Sequence, residues 1–153
     1  MHCFDEIIAL DPTHAEAFVK KGAALEKLGK LDEAIECYDR AIALQPDYAD
    51  AWYNRGVALQ QARLPLAALV SYERAVALAP RNASAHGNQG NVLLELKRWE
   101  AALACYERAL AIDERRADLH FTRGVVRQEL RQPEAHGDGA GSDREERRAA
   151  HVV

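Results

Sequence analysis

A 34-residue period runs through the chain: Gly22, Gly56, Gly90 and Gly124 stand at equal intervals inside one recurring frame. The frame reads AEAFVKKGAAL, ADAWYNRGVAL, ASAHGNQGNVL and ADLHFTRGVVR. Twelve residues beyond each glycine stands an alanine, Ala34, Ala68 or Ala102, until His136 breaks the rule in the fourth frame. A period of this length marks a stack of supersecondary units, each relying on its neighbours to bury an apolar face. Counting each unit from position 1, complete units occupy 15–48, 49–82 and 83–116, and a fourth begins at 117.

Within a unit the apolar spacing is helical twice over. Positions 4, 11 and 14 carry Phe18, Leu25 and Leu28 in the first unit and Trp52, Leu59 and Ala62 in the second; in the third, Leu93 and Leu96 stand at 11 and 14. This i, i+4, i+7 pattern is one face of a helix. Positions 20, 24, 27, 28 and 30 repeat the theme with Ala34, Tyr38, Ala41, Ile42 and Leu44 and their counterparts, which describes a second amphipathic helix. Glycine inside a helix costs about 1 kcal/mol relative to alanine. Four of them at one position imply close packing, with small residues at 8 and 20 letting two helices approach and aromatics at 4 and 24 filling the space beside them. The prolines agree with these boundaries. Pro12, Pro46 and Pro80 stand at position 32, where a helix ends, and Pro65 and Pro133 stand at position 17, where the second helix begins.

The order Trp, Leu, Gly, Tyr, then Ala, aromatic, Ala, Pro resembles the tetratricopeptide repeat, over residues 1 to about 135. That resemblance implies an all-α, right-handed solenoid of antiparallel helix pairs with about eight helices. Lys21, Arg55, Gln89 and Arg123 replace the leucine usual at position 7, where long stems can cover apolar surface while their polar heads reach water. Both ends of the array fall inside a unit. Residues 1–14 supply only a second helix, with Cys3 at position 23 and Phe4 at 24, and 117–136 supply only a first helix, roughly Asp118 to Leu130. Gly137, Gly139 and Gly141 remove helix propensity beyond it, so 137–153 are expected to form a disordered tail. The two incomplete ends suggest an array excised from something larger, whose uncapped end helices offer a route to self-association.

At 100° per residue, first-helix positions 2, 6, 9 and 13 lie opposite the core face. The resemblance implies that this second face lines a concave groove. The polar residues there are Glu16, Lys20 and Lys27; Asp50, Asn54 and Gln61; Ser84, Asn88, Asn91 and Glu95; and Asp118, Thr122 and Glu129. Tyr53, at the adjoining position 5, adds an aromatic edge. Asn54 and Asn88 share position 6 in adjacent units, and an amide offers donor and acceptor to an extended peptide backbone. The pair is similar to the asparagine ladder in the repeat arm of O-linked N-acetylglucosamine transferases, although Lys20 and Thr122 interrupt it. Candidate groove residues are therefore Lys20, Asp50, Tyr53, Asn54, Gln61, Asn88, Asn91, Asp118 and Thr122. A clamp for chaperone C-terminal carboxylates fits poorly, because Lys20 and Lys27 belong to a single unit.

No nucleophile with a base, no phosphate loop and no carboxylate pair can be assembled, so the chain reads as a non-enzyme without cofactor. Cys3, Cys37 and Cys105 share one repeat position, too far apart for disulfides, and read as small buried hydrophobes. His86 and His120, both at position 4, are expected to pack as rings and not to ligate metal. The repeated pairs Asp39–Arg40, Glu73–Arg74 and Glu107–Arg108 suggest a solvated outer face with local ion pairs. A formal net charge of −4 without basic-aromatic clusters argues against nucleic acid. With no signal peptide and no run long enough for a membrane span, cytoplasmic residence is expected. The sequence thus points to a protein-interaction module that holds an extended peptide or a partner helix in its groove. The alternative is the substrate-recruiting arm of a glycosyltransferase whose catalytic domain lies elsewhere.

Overall fold

The structure, a computed structural model, describes residues 2–131; the expected tail 137–153 and His136 lie outside them. The described residues form α1 (His2–Leu10), α2 (Ala15–Lys27), α3 (Leu31–Leu44), α4 (Ala49–Gln61), α5 (Pro65–Leu78), α6 (Ala83–Glu95), α7 (Trp99–Ile112) and α8 (Ala117–Arg131), and contain no strand. Helices α2 and α3, α4 and α5, and α6 and α7 make the closest pairs, and α3, α5 and α7 each pack on the first helix of the next unit. Three-residue turns join the partners, which fixes them as antiparallel hairpins. The chain is an α-solenoid whose core runs unbroken through the units.

One contact sets the spacing inside each pair. A Cβ built on Gly22, Gly56 or Gly90 would lie 2.6, 2.6 or 2.7 Å from Cε1 of Tyr38, Tyr72 or Tyr106. The tyrosine ring at position 24 therefore rests on bare first-helix backbone. The alanines at position 20 are fully buried nearby, but it is this ring that occupies the space the glycine leaves. Each ring is fully buried, and its hydroxyl donates to a first-helix side chain: Tyr38 to Glu26 Oε1 at 2.9 Å, Tyr72 to Gln60 Oε1 at 2.8 Å and Tyr106 to Asn91 Oδ1 at 2.7 Å. A bulky ring needs room and a buried hydroxyl needs a partner, and the first helix supplies both.

The turns between paired helices share one geometry. Lys30, Leu64 and Arg98 N–H groups reach back to the carbonyls of Leu25, Leu59 and Leu93, closing Schellman turns around a left-handed residue. That residue is Gly29 (φ 78°) in the first unit, but Arg63 (φ 66°) and Lys97 (φ 61°) in the next two. Between units, the ring at position 4 fastens first helix to preceding loop. Trp52 Nε1 donates to the Pro46 carbonyl at 2.8 Å, and the Nε2 atoms of His86 and His120 lie 2.9 and 2.8 Å from the carbonyls of Pro80 and Glu114. The histidines thus serve the same junction as the tryptophan.

Several surface expectations are corrected. Asp39 pairs with Arg55 of the following unit at 2.7 Å and Glu107 with Arg127 at 2.7 Å, so these acids tie units together and do not form ion pairs with the arginines beside them. Arg40 and Arg74 lie over the rings of Phe18 and Trp52, 5.7 and 5.6 Å from their centres. Two of the polar heads at position 7 find protein partners: Lys21 meets Asp5 at 2.7 Å, and Arg55 also donates to Ser71 Oγ at 2.7 Å. Gln89 is buried among the same elements. Cys37 and Cys105 are buried free thiols, but Cys3 is exposed, because among the described residues no first helix packs over that side of α1.

Two predictions follow from the ring contacts. Gly56→Ala is expected to destabilise the chain by about 1–3 kcal/mol through overpacking against Tyr72, despite the better helix propensity of alanine. Gly124 has no described atom within 4 Å of a built Cβ, so Gly124→Ala is expected to stabilise by up to about 1 kcal/mol. Chemical denaturation of the two variants would return shifts of opposite sign, and a shared sign would refute the contact's role.

Burial raises the pKa of Tyr38, Tyr72 and Tyr106, the last to about 12, and the bond to Glu26 adds to the effect at Tyr38. The folded pKa values lie above the unfolded value of about 10, so the unfolded chain loses these protons first. This contribution to stability is complete below about pH 10 and declines as pH rises through about 12. Urea midpoints measured from pH 8 upward should hold level and then fall across that window, and Tyr106→Phe should flatten part of the fall.

Candidate peptide-binding groove

The curvature needed for a groove comes from unequal approach. Successive first helices touch, α2 with α4 and α4 with α6, more closely than successive second helices do, so the first helices line the inside of the bend. The side of each first helix turned from its tyrosine therefore faces a shared hollow.

That surface holds an open hollow of about 450 Å³ between units 1 and 2. From α2 it takes Glu16, Val19 and Lys20, and from α4 Asp50, Tyr53 and Asn54. Tyr48 and Asn82, just ahead of α4 and α6, close two of its sides, with Ser84 beyond. Four of the nine sequence-derived candidates, Lys20, Asp50, Tyr53 and Asn54, thus meet in one place. Lys20 Nζ pairs with Glu16 Oε1 at 3.1 Å, one helical turn away and exposed. Asn54 is half-buried in the wall, and Asp50 is exposed.

The other five candidates lie outside this hollow. Asn88 is half-buried and donates from Nδ2 to the Tyr53 hydroxyl at 3.1 Å, which fixes the tyrosine from the neighbouring unit. Gln61 reaches back to Glu26 Oε2 at 3.2 Å, and Asn91 accepts from Tyr106, so each is tied into the framework. Asp118 sits beside the Arg116 guanidinium, which holds its carboxyl below the usual range, and Thr122 Oγ1 donates to the Asp118 carbonyl at 2.9 Å. The two asparagines at position 6 therefore differ: Asn54 faces the hollow, whereas Asn88 braces its wall.

Tyr48, Asn82 and Arg116 were not among the candidates drawn from the sequence. All three stand at position 34, the residue before a first helix, together with His14. His14 and Asn82 accept from the N–H of Ala17 and Ala85 as helix caps. Tyr48 makes no side-chain cap, and it lines the hollow. Arg116 donates to Ser84 Oγ at 3.2 Å and lies 3.5 Å from Asp118 Oδ1. The signal available in the sequence was a bulky aromatic and an arginine at a place where small caps are preferred. No group of three His, Cys, Asp or Glu side chains among the described residues could hold a metal ion. No described helix is long and apolar enough to cross a membrane.

Family models for tetratricopeptide repeats match residues 3–36, 27–62, 49–82 and 90–130. The chain belongs to the tetratricopeptide repeat family. A search of curated proteins gave no match. Among solved structures, the first repeat domain of Spaghetti (RPAP3), bound to the HSP90 peptide SRMEEVD, is 27% identical, with a TM-score of 0.75 over 77% of this chain and 94% of that one. MamA is 22% identical, with a TM-score of 0.80 over 96% of this chain and 87% of its own. YrrB, a repeat protein described as having an unusual peptide-binding site, is 24% identical, with a TM-score of 0.76 over 80% of this chain and 63% of its own. These likenesses agree with the solenoid built above from its contacts.

Proposed function

We propose that the chain is a protein-interaction module that holds an extended peptide along its first-helix face, entering the hollow between units 1 and 2. The observation that carries this reading is the hollow itself. Its walls bring Asn54, with a free donor and acceptor, beside an exposed carboxylate and two tyrosines, a composition suited to a main chain with side chains and not to a small metabolite. The RPAP3 domain, in complex with a seven-residue peptide, supports the mode by likeness. A partner helix would need a long apolar trough, and the hollow walls are mostly polar. The arm of a glycosyltransferase gains less support, since of the two ladder asparagines only Asn54 remains open.

A pull-down of peptide partners with the wild-type chain and with Asn54→Ala plus Asn88→Ala tests the groove. The double variant removes one open amide and the brace on Tyr53, so about a tenfold loss of affinity is expected. Equal capture by both proteins would remove the groove from consideration.

A second reading concerns α8. Among the described residues no atom lies within 4 Å of a Cβ built on Gly124, where Gly22, Gly56 and Gly90 each meet a tyrosine. Helix α1 of a second copy carries Phe4 at the matching position 24, which favours head-to-tail self-association. Light scattering of the whole chain over a hundredfold dilution should then show mass falling with concentration, with Phe4→Glu monomeric throughout. A wild-type mass that does not change on dilution contradicts it.

A further inference from the structure

The charges and rings around the hollow specify what kind of peptide it would take. Glu16 and Asp50 contribute two carboxylates and Lys20 one cation, and the lysine is already paired with Glu16. Asp50, exposed in the first turn of α4, makes no ion pair with a described side chain. Two phenol rings border it. Tyr53 is held by Asn88 and by its tilted contact with Tyr72, ring centres 6.0 Å apart, so it is set in place before any ligand arrives. Tyr48 has no cap duty, and its phenol is raised above its ordinary pKa by burial and then by Glu16 and Asp50, against an opposing effect of Lys20, which locates two carboxylates and one cation within electrostatic reach of that ring.

We infer that this hollow is a subsite for a lysine or arginine side chain of an extended peptide, with Asp50 as its counter-ion and Tyr48 and Tyr53 as its aromatic walls. The inference rests on the groove reading and deepens it. Aromatic faces attract cations, and a carboxylate beside them adds a charge-assisted hydrogen bond. The same chain already uses this pairing on its other side, where Arg40 and Arg74 lie over Phe18 and Trp52. An acidic side chain in this place would meet Asp50 without a free cation to offset it, since Lys20 is engaged. Asn54 and the amide nitrogen of Asn82, whose oxygen is occupied by the Ala85 N–H, would meet the flanking peptide backbone.

Selection of random decapeptides by display on the full chain tests this directly, followed by anisotropy titration of the enriched sequences. Expected are peptides with a lysine or arginine at one shared position, and weak or no binding of the same peptides with that residue replaced by glutamate. Replacing the shared basic residue by norleucine, or Asp50→Asn in the protein, should each weaken binding about three- to tenfold. Tyr53→Leu should do the same, whereas the norleucine peptide should be indifferent to Asp50→Asn. Circular dichroism verifies that each variant remains folded. Enriched peptides without a basic residue that still lose affinity on Asn54→Ala would overturn the cationic subsite and leave the groove standing. Peptides indifferent to Asp50→Asn, Tyr53→Leu and Asn54→Ala alike, or no enrichment at all, would overturn both.

Discussion

The seat of a tyrosine ring on a bare glycine backbone organises everything else in this molecule. A ring is rigid and a glycine offers one fixed vacancy, so the contact admits a single depth and a narrow range of rotations between paired helices. Once Tyr38, Tyr72 and Tyr106 are seated, their hydroxyls must find partners, and Glu26, Gln60 and Asn91 provide them. That bond fixes how far along the first helix the second one lies. The contact therefore fixes separation, rotation and axial offset together, and its threefold recurrence makes the units alike enough to stack. It also determines which side of each first helix is left over. The side turned from the ring has no partner within its own unit and becomes the inner wall of the bend.

Stacking between units rests on different chemistry. Where the family favours leucine at position 7, this chain has Lys21, Arg55 and Gln89, and the first two reach acids at position 25 of the preceding unit. Arg55 does more, since its second nitrogen binds Ser71 within its own unit and so joins three helices at one guanidinium. A planar group with several donors can satisfy such a junction where a leucine would only fill it. The serine that interrupts the cysteines at position 23 thereby acquires a reason: in the one complete unit with arginine at position 7, an oxygen is needed there. Apolar burial holds the hairpins, whereas directional bonds add to the packing that sets one hairpin against the next.

The parts of the fold governed by local rules were legible in the sequence. The prolines at positions 17 and 32 and the helical spacing of Phe18, Leu25, Tyr38 and Ala41 indicated two helices in each unit and where the chain breaks between them, because capping and amphipathicity act within a few residues of chain. What the period could not give was the partner of a long side chain. Asp39 and Arg40 are adjacent in sequence and look like a local ion pair, yet the helix sends one towards the next unit and the other over Phe18. Likewise Asn54 and Asn88 are equivalent by register, and only the rotation between units decides that Asn88 meets the Tyr53 hydroxyl. Such outcomes depend on angles between repeats, which a repeat length does not encode. Lys20, Asp50, Tyr53 and Asn54 could be placed together from the sequence because that follows from helical register, a local property; Tyr48 could not, because it precedes its helix.

Position 34 shows how a regular scaffold acquires an irregular surface. His14 and Asn82 spend their acceptors on helix caps, which ties those side chains to the backbone. Tyr48 cannot cap and Arg116 has no acceptor with which to do so, and both are instead turned to the inner wall, one to the hollow and one to Ser84 and Asp118. The consequence is a polarity along the groove. At units 1 and 2 an aromatic pair borders an unpaired carboxylate, whereas at units 3 and 4 the corresponding carboxylate is met by an arginine of the same chain. The core leaves no freedom for such differences, since exchanging a seated tyrosine would disturb the hairpin. The cap position has that freedom because the helix start can be satisfied by solvent when the side chain is elsewhere. Surface chemistry in an array of near-identical units can therefore vary where the repeat constrains the residue least, and in this chain that place is the threshold of each first helix.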